Sequence, residues 1–232
     1  MLNFINKIEN SRLNLKNLIL SSVVPFLIWG PFFPDLIVSV SALFFLYYVV
    51  KNKNFYYFSK LPLIFFFIFC IYCILISTFV AQDIMLSLES SLFYFRIGIF
   101  SCFICYLIEK DRNILTYFYY VLILCFLVLV VDGYFQYFTG ANILGFEIIG
   151  TRVSSFFGEE KILGSYLSRL FPLLFALFLL KQKKKFEIYF IGLLFILVDI
   201  LIFISGERTA FFFLNLFNVF FIILIKNFEV FR

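Results

Sequence analysis

Histidine is missing from all 232 residues. Any mechanism that needs an imidazole base, and any metal site built on imidazole, is closed to this chain. Charge is scarce as well, at 14% of residues, while 64% are hydrophobic and 39 are Phe. A soluble domain of this length lacks the interior to hide so much apolar surface. Nor do the apolar stretches alternate with polar residues, as the strands of a membrane barrel would. No direct or inverted repeat is present, so the usual sign of a transporter built from two halves is lacking. The first apolar run leads into "WGPFFPDL", without the small residues of a signal-peptide cleavage site.

What the sequence does contain is a series of continuous apolar runs close to the ~20 residues that cross a ~30 Å hydrocarbon layer. The fold class is therefore all-α: a polytopic integral membrane protein, read as a single transmembrane helical domain over 1–232. Eight helices are expected, near 15–30, 35–50, 61–80, 91–108, 113–131, 162–180, 186–204 and 209–225. Pro31, Pro34 and Asp35 are read as a hairpin turn between the first two. Fourteen of the nineteen basic residues fall in alternate connections. They are Lys7, Arg12 and Lys16, then Lys51, Lys53 and Lys60, then Lys110 and Arg112, then Lys181, Lys183, Lys184 and Lys185, and last Lys226 and Arg232. Basic connections stay cytoplasmic, so both termini are expected there. The net charge of +5 is thus topology and not a nucleic-acid surface. The connection 132–160, "DGYFQYFTGANILGFEIIGTRVSSFFGEE", becomes the outer loop, and its five glycines predict an ordered succession of turns.

The other basic residues, Arg96, Arg152, Lys161, Arg169 and Arg208, all fall on the outer side with most of the carboxylates. The inner halves of the helices are almost purely apolar. That asymmetry predicts a water-accessible site opening outward, not a channel through the membrane. Lys161, Gly164, Ser165, Ser168, Arg169 and Pro172 share one helical face; Arg208 shares one with Asn215, and Glu89 with Arg96. Plainer readings stand beside these. Glu89 and Arg96 form a structural ion pair, Asp199 or Glu207 neutralises Arg208, and Gly164 and Ser165 serve close helix packing. The pairs Cys70-x-x-Cys73 and Cys102-x-x-Cys105 have metal-knuckle spacing but lie inside spanning runs. They are read as small packing residues, and no metal is expected.

Two stretches together resemble the O-antigen polymerase/O-antigen ligase family of bacterial polysaccharide and lipopolysaccharide biosynthesis. One is "DGYFQYFTGANILG" running into "GTRVSSFFGEEKILGSYLSRLFPLL", and the other is "FISGERTAFFFLNL", one helix later. The similarity is one of order and spacing over residues 85–225. It implies a glycosyltransferase of the bacterial cytoplasmic (inner) membrane, multi-pass, acting at the periplasmic face. Its donor is an undecaprenyl-pyrophosphate-linked glycan, and its acceptor is the lipid A core or another repeat unit. No cofactor or essential metal is implied. By position, Arg208 becomes the pyrophosphate ligand and Arg152 a ligand of pyrophosphate or sugar, with Lys161 and Arg169 lining the same substrate site. Glu159 or Glu160 orients or deprotonates the acceptor hydroxyl. Guanidinium suits a pyrophosphate because it stays charged and binds phosphate oxygens in pairs. The family continues with further helices and a large periplasmic loop, so this chain is expected to be the N-terminal portion of a longer protein, with little transfer alone. The competing expectation is a transporter or flippase for a lipid-linked or anionic solute, with Asp199 as its proton site.

Overall fold

The structure, a computed structural model, describes residues 17–148, 150–180 and 185–227, with side chains described to residue 223. Lys7, Arg12, Lys16, Lys181, Lys183, Lys184 and Arg232 lie outside the described residues, as do both termini. The chain is an all-helical, multi-pass membrane protein. Among the described residues six helices are long and apolar enough to cross a membrane. Among the described residues the first expected crossing is represented by helical pieces at 17–21 and Val23–Trp29, and the last by an apolar stretch over Arg208–Ile223. The chain divides into two compact units, Met1–Leu115 and Thr116–Arg232.

The first unit holds α1 (Val23–Trp29), α2 (Phe32–Asn52), α3 (Leu61–Phe79), α4 (Ile84–Ser91) and α5 (Phe95–Lys110). Pro31, at the start of α2, makes the expected break after α1, but Pro34 and Asp35, expected in the turn, lie in the first turn of α2 itself. Pro62 lies in the first turn of α3, where its missing N–H costs nothing. Asp83 caps α4 by accepting from the Leu86 N–H at 3.1 Å. The helix expected over 91–108 is α5, and α4 runs into it through the turn at 92–94, so that Ile84–Lys110 forms one of the six spans. The core gathers around Phe45, which is fully buried and stands within 5.5–6.5 Å, ring to ring, of Tyr48, Tyr57, Phe58, Phe103 and Tyr106. At one end of this unit the Tyr57 hydroxyl donates to Glu109 Oε2 at 2.6 Å, and Lys60 Nζ donates to Glu109 Oε1 at 3.2 Å. That shared carboxylate pushes the Tyr57 phenol up to about 12.

Glu89 and Arg96 line one hollow with Phe93 and Ile97, as their shared face predicts, but among the described residues no ion pair joins them. Arg96 bonds Asp35 Oδ1 and, at 3.0 Å, the Ser39 hydroxyl. The ion pair at this site is therefore Arg96–Asp35, between α5 and the start of α2.

The second unit is built from α6 (Asn113–Thr139), α7 (Leu163–Leu180), α8 (Lys185–Ile204) and α9 (Arg208–Asn227). Gly133 admits α8 to close range, since a Cβ there would stand 2.8 Å from Leu201 Cδ1. The Tyr134 hydroxyl donates to the Leu197 carbonyl at 3.0 Å, which fixes the same pair of helices. Phe171 of α7 packs between Phe126 of α6 and Phe195 of α8.

A loop held from a helix end and an arginine turn

The expected loop begins later than the sequence indicates, because α6 runs on to Thr139 and takes in Asp132, Gly133 and Gln136. Polar residues survive in that helix because the loop beyond it meets every one of their groups. Asp132 and Gln136 are four apart, hence on one face, and both are buried, at 1% and 0% exposed. Asp132 Oδ1 accepts from the Ile143 N–H at 3.1 Å, and Oδ2 accepts from the Ser155 hydroxyl and from Asn142 Nδ2. Gln136 Oε1 accepts from the backbone N–H groups of Ser154 and Ser155 at 3.0 and 2.7 Å, while Nε2 donates to the Phe146 carbonyl.

Asn142 supplies the next layer. Its Oδ1 accepts from the Leu144 and Phe146 N–H groups, and its Nδ2 also donates to the Ser155 carbonyl. Ser155 sits at φ +51, a strained region for a residue with a Cβ. Its N–H, carbonyl and hydroxyl are all bonded, so the surroundings over-determine the strain. The ordered turns anticipated from the glycines are present: Gly140, Gly145, Gly150 and Gly158 all take positive φ.

The loop delivers Arg152 to the turn between α8 and α9. Gly206 has φ +70, and a Cβ there would stand 3.1 Å from Arg152 Cγ and 3.2 Å from its Nε. Thus the Arg152 stem lies across the backbone two residues before Arg208. Both arginines are exposed, and among the described residues neither is in an ion pair with a carboxylate.

Glu207 has another occupation. Its Oε1 accepts from the Gly164 N–H at 2.6 Å, and its Oε2 from the Ser165 N–H at 2.9 Å and from the Ser165 hydroxyl. A carboxylate there satisfies N–H groups that a helix start leaves open and complements the helix dipole. Gly164 is required by this contact, because a Cβ would meet Ser205 Oγ at 2.6 Å. Glu207 is therefore committed to α7 and is not the counter-charge of Arg208.

The remaining expected site residues divide. Glu159, Glu160 and Lys161 are exposed and lie just ahead of α7, at the end of the loop. Lys161 precedes the helix, so the polar stripe it was to head begins at Gly164. Gly164 and Ser168 are buried, which makes the upper part of that stripe a packing surface. Arg169 is exposed one turn below Ser165, and no described contact brings it to the arginine turn. Asn215 spends its amide on the Phe211 carbonyl of its own helix and leaves Arg208 alone on that face. Of the cysteines, Cys102 is buried in the first core while Cys105, three residues on, is exposed.

Asp132, Gln136, Asn142 and Glu207 are the organising residues that sequence pattern alone did not assign. Asp132 and Gln136 did carry a signal, an i, i+4 polar pair inside an apolar run. Arg152, with its stem over Gly206, and Arg208, two residues beyond that glycine, are exposed cations with no carboxylate paired to either among the described residues, a chemistry suited to a multiply charged anion such as a phosphate or pyrophosphate. No family model, curated protein or solved structure matches the chain.

Proposed function

We propose that the chain is a membrane glycosyltransferase that uses a glycan carried on an isoprenoid pyrophosphate, as in the O-antigen polymerase and ligase enzymes it resembles. The observation that carries this reading is the stem of Arg152 lying over Gly206, two residues from Arg208, with both guanidinium groups exposed and outside any described ion pair. In the proposed reaction the acceptor hydroxyl oxygen attacks the anomeric carbon of the donor sugar. The bond from that carbon to the pyrophosphate oxygen breaks, and the pyrophosphate leaves on its lipid. Arg152 and Arg208 stabilise the charge that develops on the leaving oxygens. Glu159 and Glu160, exposed ahead of α7, are the carboxylates available to take the hydroxyl proton. On this reading the arginine turn faces the periplasmic side of the bacterial cytoplasmic membrane.

The test is binding of a fluorescent isoprenyl pyrophosphate to the chain in neutral-lipid nanodiscs. Arg208→Ala and Arg152→Ala should each weaken it by about 10- to 100-fold, the worth of a charge-assisted contact. Gly206→Ala should act like Arg152→Ala, because the added carbon displaces that stem. Wild-type affinity in both arginine variants would reject the site.

A transport reading has one observation in its favour. Asp199 on α8 has a buried carboxylate oxygen with no hydrogen-bond partner among the described residues. Proton-coupled solute uptake into vesicles, lost in Asp199→Asn and kept in Arg208→Ala, would favour it over glycosyl transfer.

A further inference from the structure

Two hollows of the first unit share Ser90 and Tyr94 in their linings. One, of about 410 Å³, is formed by Glu89, Phe93, Arg96 and Ile97 with that shared pair. The other, of about 370 Å³, lies between α3 and α4 and adds Phe66, Phe69, Cys70 and Cys73. Each volume falls in the range of specific small-ligand sites, ~300–1,000 Å³. From Ser77 to Phe66 the second hollow follows eleven residues of α3, about 16 Å at 1.5 Å per residue. Phe69 is exposed on that helix, which is long and apolar enough to span the bilayer, so the hollow opens to hydrocarbon. The Ser90 and Ser91 hydroxyls donate to carbonyls of their own helix and ask no polar group of an occupant.

The first hollow is charged and lies at headgroup level. Arg96 reaches Asp35 in the first turn of α2, where a spanning helix passes from headgroups into hydrocarbon. Glu89 precedes Arg96 in the span Ile84–Lys110 and so stands nearer its end. Arg96 is balanced by Asp35, and its guanidinium spends one N–H there and one on the Ser39 hydroxyl. Glu89 is exposed, and among the described residues no ion pair or hydrogen bond engages its carboxylate. The hollow therefore carries a net negative charge, with a guanidinium on its deeper side. An ammonium joined to a phosphate fits that order. The ammonium donates to Glu89, and the phosphate oxygens accept the N–H groups that Arg96 has left. A headgroup with negative charge alone brings no cation to Glu89.

We propose that the paired hollows bind one phosphatidylethanolamine, its ammonium on Glu89, its phosphate against Arg96 and an acyl chain between α3 and α4. The site is separate from the glycosyl-transfer reading and stands or falls without it.

The experiment is native mass spectrometry of the full chain released from bilayers of equal phosphatidylethanolamine, phosphatidylglycerol and phosphatidylcholine. One phosphatidylethanolamine should be retained per chain, ahead of the other two. Glu89→Gln should lower its apparent affinity about tenfold, the scale of one charged contact. Glu89→Lys should turn the preference toward phosphatidylglycerol, a change that misfolding does not produce. Cys73→Phe, which fills the apolar hollow, should remove the lipid, and Ser87→Phe is the second filler should the first not fold. Ser101→Phe, on α5 outside both linings, should retain lipid as the wild type does. Equal retention of the three lipids, a preference unmoved by either Glu89 variant, retention untouched by the fillers, or lipid-free dimers in which a second copy covers this face would each overturn the proposal.

Discussion

The carboxylate of Glu207 rests on the backbone N–H of Gly164, 2.6 Å away, and so closes the start of a helix 43 residues before it in the chain. A capping residue normally belongs to the helix it caps; here the cap is lent by the turn that leads into another helix. The position of Arg208 is thereby tied to the end of α7.

Removing that carboxylate should be costly. Glu207→Ala leaves two N–H groups and the Ser165 hydroxyl without their acceptor, and is expected to cost about 2 kcal/mol, the upper range for loss of an N-cap. Glu207→Gln keeps one acceptor oxygen and should cost less. Gly164→Ala should resemble Glu207→Ala, since the new methyl intrudes on Ser205 and Glu207. Thermal unfolding in nanodiscs measures all three, and an unchanged midpoint in Glu207→Ala would contradict the capping role.

The loop makes a different demand. Gln136→Ala leaves the buried N–H groups of Ser154 and Ser155 unpaired, and Asp132→Ala does the same to the buried Ser155 hydroxyl while freeing the Ile143 N–H. Each buried unpaired group costs about 1–3 kcal/mol. That loss is expected as local opening of residues 140–162, with the helices intact. Amide hydrogen exchange at Ile143, Ser154 and Ser155 should accelerate by about 10- to 100-fold. If exchange there stays at the wild-type rate, the network does not hold the loop.

A third expectation concerns pH. The Tyr57 phenol must stay neutral to donate to Glu109, and that bond raises it from 10.0 to about 12. Because the folded value lies above the unfolded one, the stabilisation is complete below pH 10 and disappears as pH rises through about 12. The absorbance difference between wild type and Tyr57→Phe, followed from pH 8 to 13, should show one phenol titrating late. In Glu109→Gln that phenol should return toward the ordinary range. A phenol that titrates near 10 in both proteins would refute the contact.

Much of the helical plan was legible because it depends only on the length and apolarity of each run. Apolar composition fixes whether a segment spans, and prolines and charged turns bound it, as Pro31, Pro62 and Asp83 show. The start of the loop after α6 was not legible. Asp132 looked like the end of the apolar run, whereas its charge is met by Ser155, Asn142 and Ile143, residues that come later in the chain. The same holds for Glu207. Its neighbour in sequence is Arg208, the obvious counter-charge, while its partners lie 42 and 43 residues upstream. The Glu89–Arg96 ion pair failed for a third reason: the two share a face, but Asp35 from another helix takes the guanidinium. Arg152 and Arg208 lie far apart in the sequence, and the contact of Arg152 with Gly206 is one that spacing along the chain does not reveal.

The side-chain hydrogen bonds by which Asp132, Gln136 and Asn142 shape the loop after α6 all join residues between Asp132 and Ser155, separated by at most 23 positions. The contact that presents Arg152 to its turn, by contrast, needs Gly206, and the cap on α7 needs Glu207. During synthesis the loop can close on the end of α6 before α8 has been made. The arginine turn is completed only when the start of α9 arrives. A loop that is finished early waits in the right shape for the turn that bears Gly206, Glu207 and Arg208.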